Sequence, residues 1–389
     1  MKPGTSQSVR LSAVCDVIAG QHIEAALYND DSSGTPYLTG PADFGETIPI
    51  VTKWTSSPKV FAKRSDVLLT VKGAGVGKIN YGCDAAIGRQ LMALRPHPTK
   101  LDQRYLFSFL RAKEMVINGM AEGATVPGIG KEHVFGLEIP LPSLLEQRRI
   151  ADILDRTDAL RAKRRAALAR LDELTQAIFF EMFGDPAVNP KHWPVRTVGS
   201  LACKFSDGPF GSNLKSSHYV ESGIRVIRLQ NIGVGRFVDE DRAYISTEHF
   251  EDLAKHECRP GDVLIGTLGD PNLRACIQPQ WLSVALNKAD CVQLRADESV
   301  ALPRYISALL NHPSVERMAQ SLMLGQTRVR ISMGRLRDLN VPIAPLAIQR
   351  RYVEIEGSID DLRSQHERSA QHTDSLFTSL QDRAFQGTL

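Results

Sequence analysis

A helical pattern nearly free of breakers begins at Leu144, LLEQRRIADILDRTDALRAKRRAALARL, and a second begins at Leu346, LAIQRRYVEIEGSIDDLRSQHERSAQHTDSL. A helix of about 38 residues at 1.5 Å each reaches roughly 57 Å, more than one small globule can cover. In the first pattern apolar residues near heptad spacing are Ile150, Ile153, Leu160, Ala167, Leu171, Leu174 and Ile178. In the second they are Ile355, Ile359, Leu362, Leu376 and Leu380. Thr157, Arg164, His366 and Thr373 interrupt the stripes, which fits a coiled coil that keeps faces for other partners. Each helix must bury its stripe, and the other copy in the same chain is the nearest candidate. Antiparallel pairing places a globule at each end of a rod; dimerisation through like helices is the competing reading.

The helices belong to a duplication. LEIPLPSLLEQRRIADI from Leu137 lies over LNVPIAPLAIQRRYVEI from Leu339, 202 residues on. Leu137, Pro140, Leu144, Gln147, Arg148, Arg149 and Ile153 recur as Leu339, Pro342, Leu346, Gln349, Arg350, Arg351 and Ile355. Asp158, Leu160, Arg161, Leu174 and Phe183 recur as Asp360, Leu362, Arg363, Leu376 and Phe385. Upstream, Asp66-Val67-Leu68 matches Asp262-Val263-Leu264, Leu94-Arg95 matches Leu294-Arg295, and Arg104-Tyr105 matches Arg304-Tyr305. Gly123-x-Thr125 matches Gly325-x-Thr327. The offset drifts while the order holds, as small loop insertions produce. A period this long means duplicated domains rather than a solenoid.

The chain of 389 residues is therefore read as globule 1–143, helix 144–186, globule 187–345 and helix 346–389. Short apolar strands such as DVLLTV, IRVIRLQNI and DVLIGTL sit among Gly, Pro and Asn turns, with a helical segment near RYLFSFLRAKEMVINGM and RYISALLNHPSVERMAQSLM. The fold class is α+β: two β-rich domains separated by two long antiparallel helices, an internal pseudo-repeat.

Several classes fall away. No apolar run approaches the ~18 residues that span a membrane, and the start lacks the apolar region of a signal peptide. The six cysteines form no Cys-x-x-Cys pair, and reduced thiols in a cytosol are expected. His249, His256 and Cys258 lie close in sequence, but ordinary side chains are the better reading than metal ligands. KGAGVGKI, Lys72 to Ile79, has Lys where a phosphate-binding loop needs its first Gly and Ile79 where it needs Ser or Thr. A glycine turn between strands explains it better. No Asn/Asp-Pro-Pro-aromatic tetrapeptide, no Glu-x-Lys, no Gly-x-Ser-x-Gly and no His-Glu-x-x-His occurs.

Nucleic-acid binding finds better support, although the net charge is only +3. Arg, Gln and Asn make the bidentate contacts to base edges, and Lys meets phosphates. By residue type the candidates are Lys72, Lys78, Arg89, Gln90, Asn213, Lys215, Arg228, Gln230, Asn231, Arg328 and Arg330. From Arg161 the first helix is purely basic as far as Arg170; pairing with the other helix, a DNA backbone or an acidic partner could each explain this. Helix residues facing a partner are taken as Gln147, Arg148, Arg149, Arg161, Arg164, Phe183, Gln349, Arg350, Arg351 and Phe385.

IPLPSLLEQRRIADILDRTDAL followed by FEMFGDP, with DGPFGSNLK, GIRVIRLQNI and the second VPIAPLAIQRR, resembles the specificity subunit of type I restriction-modification systems over essentially the whole chain. The second copy departs from the first at Ala344-Pro345 and Ile348. The resemblance implies two target recognition domains, each reading one half of a split asymmetric site in double-stranded DNA. It implies helices that fix the unread spacer and dock two methyltransferase subunits, with a restriction-translocase subunit joining for cleavage. It further implies no catalytic site and no cofactor or metal in this chain; S-adenosylmethionine, ATP and Mg belong to the partners, in the cytoplasm. The alternatives are a coiled-coil scaffold and a nucleotide-binding enzyme using the Lys72–Ile79 loop.

Overall fold

The computed structural model describes residues 7–123, 125–324 and 330–389. The chain divides into two compact units, Met1–Ala166 with Glu367–Leu389, and Ala167–His366. The boundary therefore falls within the two long helices, Leu144–Phe183 and Leu346–Phe385, rather than at their ends. Each unit holds one β-rich domain with one half of each helix. The first helix stops at Phe183 because Gly184, at φ +76°, turns left-handed there, and Pro186 follows.

In the first unit four strands lie in the spatial order Cys15–Ala19, Leu91–Pro96, Val67–Thr70, Ile79–Tyr81, all antiparallel. Val67–Thr70 is buried at every position, which is why Val67-Leu68-Leu69 is an apolar run rather than an alternation. A smaller sheet runs Tyr28–Asn29, Lys53–Thr55, Thr35–Leu38, Ala85–Ile87, Phe61–Ala62. The second unit repeats both orders. Its larger sheet is Ala202–Asp207, Cys291–Ala296, Val263–Gly266, Arg274–Ile277. Its smaller sheet is Tyr219–Val220, Ala243–Ile245, Ile224–Ile227, Ala285–Asn287, Glu257–Cys258. Each smaller sheet contains one parallel pair at the same place, Thr35–Leu38 with Ala85–Ile87 and Ile224–Ile227 with Ala285–Asn287.

The repeated residues turn out to be the ones that hold each unit together. Asp66, fully buried, takes both Nε and Nη2 of Arg95 at 2.8 Å; Asp262 takes the same two nitrogens of Arg295 at 2.9 Å. Gln147 and Gln349 are also fully buried. Gln147 accepts the Asp102 N–H at 2.8 Å and donates to the carbonyls of Lys100 and Pro142. Gln349 accepts from Leu302 at 2.8 Å and donates to Val300 and Ala344. The Tyr105 hydroxyl donates to Pro140 and the Tyr305 hydroxyl to Pro342. Arg104 reaches Asp155, and Arg304 reaches Asp360 at 2.6 Å. In each unit the Gln, Tyr and Arg104 or Arg304 bonds lock the domain onto the start of its own long helix, while the Asp–Arg pair ties two strands of the sheet together.

Within each unit the two long helices run antiparallel. In the first, Arg161 of one helix reaches Asp374 of the other at 2.5 Å, and Arg149 reaches the carbonyl of Leu389. In the second, Arg363 reaches Asp172 at 2.8 Å, and Phe179 packs on Tyr352. Arg161 also holds Asp158, and Arg363 holds Asp360, so the repeated residues make the same fork twice. Such exposed pairs contribute about 0–1 kcal/mol each; their part is in setting register. Leu160, Leu174, Leu362 and Leu376 remain roughly half exposed, so the stripe is not consumed by the pairing.

Candidate nucleic-acid interface

The first domain has a turn, Gly88-Arg89-Gln90, between the parallel strand Ala85–Ile87 and the central strand Leu91–Pro96. Its backbone is held at three points: Gly88 N–H donates to Leu38, Leu91 N–H to Gly88, and Val71 N–H to Gln90. Val71 in turn accepts from Ile129 at 3.0 Å, which brings Lys72 beside Gly128. The second domain has the same turn, Lys288-Ala289-Asp290, with the same bonds: Lys288 to Ile227, Cys291 to Lys288, Thr267 to Asp290, and Ile331 to Thr267. Here Leu268 lies beside Arg330. Backbone hydrogen bonding thus superposes the two turns residue for residue.

The side chains on this shared frame differ. In the first domain Lys72, Arg89 and Gln90 line a groove of about 530 Å³ with Glu122 and Val126. Lys72 and Arg89 are exposed, and the Gln90 amide lies over Gly40, where a Cβ would come within 2.0 Å of its Oε1. In the second domain Arg330, about half exposed, pairs with Asp290 at 3.3 Å. Asp290 itself is left-handed at φ +64°, a conformation that Asp tolerates better than most residues. Lys288 sits 5.5 Å from the Tyr219 ring, which also carries Arg228 at 5.8 Å. Each turn therefore presents two cations, Lys72 with Arg89 or Lys288 with Arg330, and one hydrogen-bonding side chain, Gln90 or Asp290. A rigid frame with polar side chains of this kind can meet both phosphates and base edges.

Sequence reasoning had picked Lys72, Arg89, Gln90 and Arg330, which the structure places at this frame; it missed Lys288 and Asp290. The offset of 200 that aligns Leu94-Arg95 with Leu294-Arg295 would have found both, because it lays Gly88-Arg89-Gln90 over Lys288-Ala289-Asp290. Other candidates lie elsewhere. Asn213 and Lys215 are exposed in the loop before Tyr219, where the Asn213 carbonyl meets His249 Nε2 at 3.0 Å. Lys78 is exposed beyond the hairpin turn Gly73–Gly77. That turn joins antiparallel strands rather than leading from a strand into a helix, so the phosphate-loop reading of Lys72–Ile79 loses its geometry. Gln230 is exposed, but Arg228 is tied to Asp241. Asn231 is a correction: it is fully buried, its amide donates to Val238 and Asp241, and its oxygen accepts from the Arg228 N–H. It shapes the turn and offers nothing to a base. Arg328 lies outside the described residues.

The helix candidates divide in the same way. Gln147 and Gln349 are the internal latches already described, and Phe183 packs on Tyr305 and Tyr352 as Phe385 packs on Tyr105 and Phe109. These four are corrections: burial assigns them to the joint, not to a partner surface. Arg161 is spent on Asp158 and Asp374. Arg148 and Arg149 are exposed but reach Asp102 and Glu146, and Arg164 is half-buried. Arg350 and Arg351 are exposed. His249, His256 and Cys258 do not converge: the His249 ring packs at a tilt against His218, His256 meets the Asp207 carbonyl, and Cys258 is buried. Among the described residues no helix is long and apolar enough to cross a membrane.

One β-rich domain built twice, latched each time to paired helices and presenting the same rigid turn with different side chains, defines a duplicated two-domain protein. Residues 3–170 match the type I restriction modification DNA specificity domain family. The type I restriction enzyme MjaVIII specificity subunit of Methanocaldococcus jannaschii is 20% identical over 323 residues, 79% of this chain and 75% of that one. Two solved structures share the fold. An S subunit of a type I restriction-modification system from M. genitalium matches with TM-score 0.59 at 17% identity, over 99% of this chain and 97% of that one. A chain from a structural study of type I system assembly and conformational transition matches with TM-score 0.61 at 19% identity, over 100% and 99%. Over residues 3–170 the chain thus resembles the type I restriction modification DNA specificity domain, and over most of its length it is similar to a type I specificity subunit.

Proposed function

We propose that each domain reads one half of a split, asymmetric site in double-stranded DNA through its 88–90 or 288–290 turn. The carrying observation is that one hydrogen-bonded frame recurs with unlike side chains: a common frame gives a common docking geometry, and the differing side chains give unlike half-sites. The paired helices set the unread spacer. Their half-exposed leucines, with Arg350 and Arg351, offer a surface to two methyltransferase subunits, and a restriction-translocase subunit joins for cleavage. The chain supplies recognition and no chemistry; S-adenosylmethionine, ATP and Mg act on the partners, in the cytoplasm.

The test is a genome-wide map of methylated adenines in the source cell, with and without this gene. Loss of one split motif with unlike halves is expected; an unchanged map sinks the reading. A finer outcome concerns Gln90→Ala, which is expected to relax one base position in one half by about 1–3 kcal/mol, leaving the other half intact. Lys72→Ala is expected instead to weaken binding to all sequences alike and to lower the salt slope by about 1. Equal loss in both halves on changing Gln90 would remove it from base reading.

A further inference from the structure

The second turn carries chemistry that the first does not. Arg330 stands where the first domain has Gly128, and Asp290 stands where it has Gln90, as the matched bonds Ile129 to Val71 and Ile331 to Thr267 show. An arginine fork is the side chain that matches O6 and N7 of guanine in the major groove. An unbuttressed arginine is a poor reader, because its long side chain must be ordered on binding. Here Asp290 supplies the buttress: its Oδ1 accepts from Arg330 Nη1 at 3.3 Å, and its carbonyl is fixed by both the N–H and the hydroxyl of Thr267. Asp290 is less exposed than Arg330, 23% against 51%, so the carboxylate lies behind and the guanidinium in front. In the first domain the matching position is Gly128, which has no side chain and so sets no cation against Gln90 there.

We propose that Arg330 reads a guanine in the half-site of the second domain, and that Asp290 is its positioning residue. The inference rests on the DNA-reading function above and deepens it: the two half-sites differ at this position because the fork-and-buttress pair exists in one domain only. Lys288, 5.5 Å from Tyr219, lies on the same turn and meets a phosphate in this arrangement.

The experiment maps methylated adenines in cells carrying the full chain with its partner subunits, as wild type, Arg330→Lys and Asp290→Asn. Lysine keeps the charge but loses the fork, so phosphate attraction survives. Asparagine keeps the size and tolerates the left-handed backbone but loses the charge. The wild-type motif is expected to contain a G·C pair in one half. In Arg330→Lys the preference for that pair falls about tenfold or more, with the other half unchanged. In Asp290→Asn the same position relaxes by a smaller factor. A motif that either variant leaves unaltered, or a variant that lowers methylation of all sites equally, overturns the assignment. Absence of any split motif in the wild type would instead count against the DNA-reading function itself, so the two failures are distinguishable.

Discussion

Replacing Arg95 by alanine is expected to cost the first domain about 3–5 kcal/mol, because it strands a carboxylate with no access to water. Asp66 is fully buried, and Arg95 supplies two of its side-chain hydrogen bonds; the remaining one comes from the Lys63 N–H at 2.9 Å. The equivalent change, Arg295→Ala, is expected to cost about 1 kcal/mol less. Asp262 keeps the Arg259 N–H and has a further donor, the Gln293 amide at 3.0 Å. Tryptophan fluorescence separates the two: Trp54 lies in the first unit, Trp193 and Trp281 in the second. Denaturation with urea should show Arg95→Ala shifting the Trp54 transition to lower urea and leaving the other nearly in place. If Arg95→Ala unfolds at the wild-type midpoint, the pair is not what holds the larger sheet to its neighbours. Replacing both Asp66 and Arg95 by apolar residues is expected to recover much of the loss, since no buried charge is then left alone.

The fold was legible because the duplication exposes structural residues. Asp66, Arg95, Arg104, Tyr105, Gln147 and Phe183 recur in the second half; in both units they make a buried bond or a packed ring, except Arg104 and Arg304, whose ion pairs lie at the surface. Two copies that diverge in sequence keep in common what makes them fold. The same logic hides the site. At the turns the informative residues are those that differ, Arg89 and Gln90 against Ala289 and Asp290, and Gly128 against Arg330. A search for sameness passes over them.

Residue type alone served less well than register. Arg228, Gln230 and Asn231 have the side chains of base readers, yet Asn231 is sealed inside and Arg228 is held by Asp241. The polar groups of a tight turn must be satisfied, and Asn does that work locally as readily as it reads adenine. On the helices Gln147 and Gln349 were attractive partner residues because they recur, but recurrence reflected three internal hydrogen bonds each. The helices themselves were read correctly in type and length because nothing in 40 residues interrupts either one; Gly357 lies within the second and is tolerated there.

Glu356 marks the place where the two joints part company, and it gives the second large effect. At the offset of 202 its counterpart is Leu154, an apolar side chain 2% exposed. Burial pushes the Glu356 carboxyl up from 4.5 to about 7; Arg304 opposes this, Asp360 adds to it, and Arg363 lowers it slightly. Among the described residues, one carboxylate oxygen, Oε2, and the hydroxyl of nearby Tyr352 have no hydrogen-bond partner, and Arg304 Nη1 stands 3.6 Å from that oxygen. A carboxyl raised in the folded state binds its proton more tightly there than in the unfolded chain, so its contribution is most favourable below pH 4.5 and is lost as pH rises to about 7. The loss amounts to about 2–3 kcal/mol. Glu356→Gln removes the titration while keeping the shape, and Arg304 retains Asp360 at 2.6 Å. Urea unfolding at pH 5 and pH 8 is therefore expected to show wild type losing about 2–3 kcal/mol more than the variant across that interval. Glu356→Leu, which copies the first joint, is expected to match the variant in slope and to exceed wild type in stability at pH 8. Parallel pH profiles for wild type and Glu356→Gln would show that the carboxyl is charged throughout and solvated. The second joint would then owe nothing to its protonation.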